Sequence, residues 1–153
     1  MKRASNILIG AILIALIAPV VAQSEIKIVD PKQGSEVTFS INVDGTISGA
    51  LPNGQYMWIL VNPQSLPNQW WPQGGKQVSP MKGQWRGEAL IGGGPENDIG
   101  NEFVIAVVLV NEKDNEMLNN WVIETNESHD YHSVSFPDSA NIADQVTVTR
   151  IRG

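Results

Sequence analysis

The chain has 153 residues, 42% of them hydrophobic, with ten basic and sixteen acidic side chains and a formal net charge of −6. That length and apolar content fit a single domain with its own core and exclude a disordered chain, while the acidity, with no basic stripe anywhere, excludes nucleic-acid binding. The absence of cysteine removes disulfides, thiolate metal sites, cysteine nucleophiles and a cysteine-borne lipid anchor together.

Residues 1–22 read as a signal peptide. Lys2 and Arg3 form a positive start, Ile7 to Ile17 is an uninterrupted apolar run, and Val20 and Ala22 are the small residues a signal peptidase reads. Pro19 breaks the signal helix just ahead of that site. The competing reading is an uncleaved anchor, although residues 7–22 fall short of the roughly 20 that a span prefers; they would then be the protein's membrane contact. Either way residues 23–153 lie outside the cytoplasmic membrane, secreted or in the cell envelope. This portion has lost two bases and no acid, so it carries eight bases against sixteen acids, a net −8.

The rest of the chain reads as short strands divided by turns. Ile26 to Val29 is a first strand, closed by the turn cluster Asp30 to Gly34. Val37 to Val43 alternates apolar and polar residues, one face buried and one wet, and continues through Gly49. Leu51 to Gly54 is a turn, and Tyr56 to Val61 is a nearly continuous apolar strand, hence central. Asn62 to Gly75 is a long loop containing Trp70 and Trp71; Gln84 to Ile91 is a half-buried strand; Gly92 to Asp98 is loop; Phe103 to Val110 is the most hydrophobic strand. The period then changes: Met117, Leu118, Trp121 and Val122 mark one face of a short helix within Asp114 to Thr125. Asn126 to Asn141 is irregular and Val146 to Thr149 closes the chain. The pattern predicts an all-β fold, an antiparallel β-sandwich over residues 23–153 with one late helix. Trp58 and Leu60 are expected to face the space between the sheets, opposite Val104, Ala106, Val108 and Val110 or their alternates.

Asp30-Pro31 followed by Gly34, then Val43-Asp44-Gly45-Thr46-Ile47-Ser48-Gly49, resembles the opening of immunoglobulin-like or fibronectin-like domains on bacterial and archaeal cell surfaces. The succession of Leu51 to Val61, Trp70-Trp71-Pro72-Gln73-Gly74-Gly75, Phe103 to Val110 and Val146 to Arg150 is similar to an uncharacterised prokaryotic module of that kind, often attached to larger extracytoplasmic or signalling proteins. The resemblance covers nearly all of the mature chain. It implies an immunoglobulin-like sandwich with a binding or accessory role, and it carries no catalytic residues. Immunoglobulin domains usually hold a core disulfide, which this chain cannot form.

The chemistry-bearing residues are few. Trp58, Trp85 and Trp121 sit on apolar faces and read as core. Trp70 and Trp71 are adjacent, so an extended chain points them in opposite directions; one is expected to plug the sandwich end and the other to stand beside Tyr56 or Trp85, where it could stack on a sugar ring or a partner protein. The competing reading is a tryptophan lid. Glu96, Asp98 and Glu102, with Asn97 and Asn101, place hard oxygen ligands of the kind calcium takes on a Gly-rich loop, although such residues also serve simply as turn formers. His129 and His132 flank Asp130 without the three or four converging ligands zinc requires. Asn126-Glu127-Ser128 is a glycosylation triplet in an expected loop. No Gly-x-Ser-x-Gly elbow, phosphate-cradling loop or distinctive carboxylate pair is present. The expectation is therefore a non-enzymatic module needing no cofactor, with an unknown protein or glycan at the cell surface as its partner. The alternative is a carbohydrate-binding domain using Trp70 and Trp71.

Overall fold

The computed structural model describes residues 24–153, so both readings of the leader fall outside the described residues. Eight strands and one helix follow one another: β1 (Glu25–Asp30), β2 (Glu36–Val37), β3 (Ser40–Ser48), β4 (Tyr56–Pro63), β5 (Trp71–Pro72), β6 (Gln84–Leu90), β7 (Glu102–Val110), α1 (Glu112–Ser128) and β8 (Asn141–Arg150). They form an all-β sandwich of a three-stranded sheet, β1-β3-β6, on a five-stranded sheet, β2-β8-β7-β4-β5, with α1 on the far side of the larger sheet. Among the described residues no helix is long and apolar enough to cross a membrane.

The alternating run from Val37 to Val43 is two strands, not one. Val37 pairs with Arg150 in the larger sheet, whereas Ser40 pairs with Leu90 in the smaller. Alternation persists across the break because both sheets face the same core, so periodicity cannot register the change of sheet. The β2–β8 pair is parallel, which corrects the all-antiparallel expectation; the remaining strand pairs are antiparallel.

Two apolar clusters lie on opposite faces of the larger sheet. Met57, Ile59 and Val61 of β4 and Phe103, Ile105 and Val107 of β7 meet Val43, Ile47, Trp85 and Ala89 of the smaller sheet. Trp58, Leu60, Ala106, Val108 and Val110 face instead toward Leu118, Trp121 and Val122 of α1. This corrects the expected inner face: an apolar strand buried on both sides carries no alternation to tell its faces apart. Gly45 lies in the inter-sheet layer opposite Trp85, whose ring occupies the place a Cβ would take and whose Nε1–H donates to the Thr46 carbonyl at 3.0 Å.

The helix is longer than its pattern implied. Asn111 caps it, its side chain accepting the Asp114 amide at 3.0 Å, and Glu112 and Asp114 set negative charge against the N-terminal dipole. His129 ends it in the left-handed conformation at φ 60°, donating its amide to the Thr125 carbonyl. The buried positions are Asp114, Asn115, Leu118, Trp121, Val122 and Thr125, while Met117 is 37% exposed, so the inward face is rotated from the expected one. The rotation follows from buried polar groups that apolar periodicity does not count: Asn115 accepts the Trp58 indole N–H at 2.9 Å, and Thr125 bonds back to the Trp121 carbonyl at 2.8 Å.

Trp58 is fully buried and is the link between sheet and helix. Trp58→Ala is expected to cost about 3–5 kcal/mol in urea unfolding, as a large cavity and an orphaned Asn115 predict. Met117→Ala is expected to stay within about 0.5 kcal/mol of wild type, as a surface change does.

Candidate functional site

The Trp-Trp-Pro-Gln-Gly segment is a clasp on the side of the sandwich. Trp70 pairs its backbone with Val134, at 2.9 and 2.8 Å, and buries its ring against Phe136, with centroids 5.1 Å apart at 56°. Trp71 is half-buried and donates its indole N–H to the Tyr131 carbonyl at 2.9 Å. Pro72 is buried opposite Leu60. Gln73 joins the two sheets: its Nε2 donates to the Trp71 carbonyl at 3.0 Å and its Oε1 accepts the Leu90 amide of β6 at 2.8 Å. Gly74 follows at φ 70°, with a Cβ position 3.5 Å from the Glu88 carbonyl.

Both indoles contact the helix-side cluster, Trp70 buried within it and Trp71 half-buried against it. The irregular stretch after the helix supplies the reason. Residues 129–140 return across the outer face of the sheet and cover the pair, with Val134 and Phe136 packed on the same cluster and the Trp121 indole donating to the His132 carbonyl at 3.0 Å. Tyr56 packs on the same cluster but at its other end. It pairs with Val110 at the far end of β4, whereas Trp71 pairs with Val61, five positions along; at about 3.4 Å per residue that separates their backbones by about 17 Å. Trp85 belongs to the other sheet.

What remains open beside the clasp is a cleft of about 450 Å³ lined by Pro67, Asn68, Trp70, Ser135, Phe136 and Ile142. Four indoles donate within the protein, those of Trp58, Trp71, Trp85 and Trp121. Trp70 is the one indole without a partner among the described residues, and no buried side-chain nitrogen or oxygen there lacks one. Its N–H is therefore open, on a residue only 9% exposed that lines the cleft. The sequence reading missed Ser135, Phe136 and Ile142, which arrive about 65 residues after Trp70; the apolar Phe136-Pro137 step inside a polar stretch was the available signal.

The other candidates are not brought together. Asp98, itself at φ 60°, accepts the Gly93 amide at 2.7 Å and so closes its own loop. Glu96 pairs with Arg152 at 3.3 Å, and Glu102 opens β7. The Gly94 and Pro95 carbonyls, oxygens a calcium ion could take, accept from the guanidinium of Arg150 at 3.4 and 2.6 Å. Two arginines thus engage oxygens of this loop, and no group of three or more His, Asp or Glu with metal-holding geometry occurs among the described residues. His129 serves as the helix cap and His132 sets its ring edge-on to Trp121 at 6.2 Å. Asn126 lies in the last turn of α1 rather than in a loop, and its Oδ1 accepts the Tyr131 hydroxyl at 3.4 Å.

The return segment is tied to the start of α1 by Asp114. This carboxylate accepts the Ser139 hydroxyl at 2.6 Å and the Ser139 amide at 2.7 Å, and these hydrogen bonds hold its pKa below the ordinary carboxylate value, burial opposing them. Compared with models of known protein families and with curated proteins, the chain matches none.

Two outcomes test this geometry. Gln73→Leu is expected to lower stability by about 1–3 kcal/mol, because the Leu90 amide loses its acceptor between the sheets. For Asp114 the folded pKa is the lower one, so its stabilisation is complete above the unfolded value of about 3.9 and is lost as pH falls through the folded value. Asp114→Asn is therefore expected to be less stable than wild type at pH 7, with the gap closing below about pH 4 in pH-dependent urea melts.

Proposed function

We propose that this chain is a non-enzymatic, extracytoplasmic binding module of the immunoglobulin-like kind, taking its ligand in the cleft beside Trp70. The export pattern of residues 1–22 supports the address. The strand order supports the family of folds: with β1, β3 and β6 as strands A, B and E, and β4, β7 and β8 as C, F and G, the sheets read A-B-E and C-F-G, as in immunoglobulin domains. β2 and β5 then extend the second sheet at its two edges, the strand D position is empty, and α1 occupies the F–G connection.

The observation that carries the binding reading is the Trp70 indole. A nearly buried donor without an acceptor among the described residues, in a cleft otherwise walled by Phe136, Ile142 and Pro67, has the form of a ligand pocket: apolar surface with a few fixed polar groups. The Asn68 carboxamide and Ser135 hydroxyl complete the polar set. Stacking on a sugar requires an exposed ring face, and Trp70 is covered by Phe136 while Trp71 is half-buried with its N–H engaged. The cleft accordingly favours a polypeptide over a glycan.

A displayed peptide library and a glycan array, each probed with the full chain, test the reading. Peptides are expected to be captured, with capture lost in Ile142→Arg and kept in Ile123→Arg, a substitution on the exposed face of α1. Glycan capture abolished by Trp71→Ala would move the ligand to Trp71 and replace this reading with a carbohydrate-binding one. Peptide capture indifferent to Ile142→Arg would remove the cleft from the function.

A further inference from the structure

Charge is distributed unevenly between the helix layer and the rest of the fold. Residues 112–140, the helix and the return segment, hold seven acids and one base, Lys113, a net −6 with both histidines neutral. All other residues from 24 onward hold nine acids and seven bases, a net −2. The three ion pairs among the described residues, Lys27–Glu25, Arg86–Asp44 and Arg152–Glu96, all lie outside residues 112–140. The acidic charge of the helix layer is thus uncompensated within the described fold, and Phe136 and Ser135 of that layer form one wall of the cleft.

We propose that the cleft receives an apolar side chain carried by a cationic polypeptide segment, an inference that rests on the cleft being the binding site. The apolar side chain enters among Trp70, Phe136 and Ile142. A main-chain carbonyl of the partner accepts the Trp70 indole N–H, which has no acceptor among the described residues. Lys or Arg residues flanking the anchor meet the field of residues 112–140. Three features select this chemistry together. The lining asks for an apolar group, the open N–H asks for an acceptor of the kind every peptide unit carries, and the net charge of the layer that supplies one wall favours cations and repels acidic chains. The charge acts at a distance, so it governs encounter and salt dependence, while the anchor and the N–H set the lifetime of the complex.

The test uses the full chain in a mild non-ionic detergent, ¹⁵N-labelled, and reads its five indole N–H resonances, with Trp70→Phe identifying the signal of Trp70. The probes are a blocked peptide Gly-Lys-Arg-Gly-Leu-Gly-Arg-Lys-Gly, its counterpart with Glu and Asp in place of Lys and Arg, and a version with Gly for the central Leu. The cationic peptide is expected to shift the Trp70 resonance while leaving the other four in place. Its affinity should fall severalfold between about 20 and about 200 mM salt, as the screening length shortens. The acidic peptide, the Leu→Gly peptide and Ile142→Arg are each expected to weaken binding by at least about tenfold, the loss of roughly 1.4 kcal/mol. Ile123→Arg adds the same charge to the helix layer away from the cleft and is expected to change affinity far less.

Equal shifts of Trp70 by the cationic and acidic peptides would overturn the cationic partner and leave the cleft as the binding site. A Trp70 resonance indifferent to these peptides yet moved by a ligand from the screens would overturn the peptide chemistry alone. Binding of the cationic peptide that leaves Trp70 unmoved and is unaffected by Ile142→Arg would overturn both, marking simple attraction to the acidic surface.

Discussion

The central strand pair β4–β7 has no wet face, and the rest of the fold answers that condition. Met57, Ile59 and Val61 fill one side, Trp58 and Leu60 the other, and β7 repeats the arrangement. One sheet can cover only one side of such a pair. The second side therefore needs another layer, and the chain supplies it at once, turning from Val110 through the single residue Asn111 into α1. Once the helix lies along the outer face, residues 129–140 must travel back over it to reach β8, and this obligatory return is what covers Trp70 and Trp71. The cleft is the part of the outer face that neither the helix nor the return segment closes.

Strand amides left without a ladder partner, on the edge strands β1 and β6 and on β8 where the two-residue β2 stops short, are met by side chains. The Ile28 amide of β1 donates to the Asp144 carboxylate, the Thr147 amide of β8 to the Gln33 carboxamide, and the Leu90 amide of β6 to that of Gln73, each at 2.8 Å. Each acceptor stands where a further strand's carbonyl would be, which blunts the edge against pairing with other chains. Arg150 does comparable work at the end of the sandwich. Its fully buried guanidinium finds no acid; it reaches the carbonyls of Ile91, Gly94, Pro95 and Ile151 and lies 5.7 Å from the Phe39 ring centre. A cation satisfied by four carbonyls ties the Gly94-Pro95 turn to the end of β8 without a buried counter-ion.

The strands were legible where one of their faces was polar. Gln84 to Leu90 announced its buried Trp85 and Ala89 by alternation, and the burial pattern follows it. The central strands were legible as elements but not as faces, since Trp58 and Ile59 are equally apolar and only the position of α1 decides which meets the helix. The helix itself was legible from Leu118, Trp121 and Val122, yet its orientation depended on Asn115 and Thr125, whose burial comes from the Trp58 indole and a backbone carbonyl rather than from hydropathy. The site was the least legible part. Trp70 is visible in any reading of the chain, but Phe136, which helps make its surroundings a cleft, belongs to a segment with no periodicity, and Ile142 opens a strand that the apolar run Val146 to Thr149 marks only further along.

Trp70 also shows how stability and binding divide within one motif. Gln73 bonds at both ends of its carboxamide and Trp71 spends its N–H on Tyr131, so two of the three polar side chains in Trp-Trp-Pro-Gln are consumed in holding the sheets and the return segment together. The Trp70 ring is consumed as well, in the contact with Phe136, but its N–H is not. A donor sealed away dry would cost about 1–3 kcal/mol, which is why the protein keeps it at an opening, where water can accept. Water held against an apolar wall is readily surrendered to a group that brings its own acceptor and covers the wall. The same placement that spares the folded state a penalty thus leaves a position where a partner's carbonyl gains by replacing solvent.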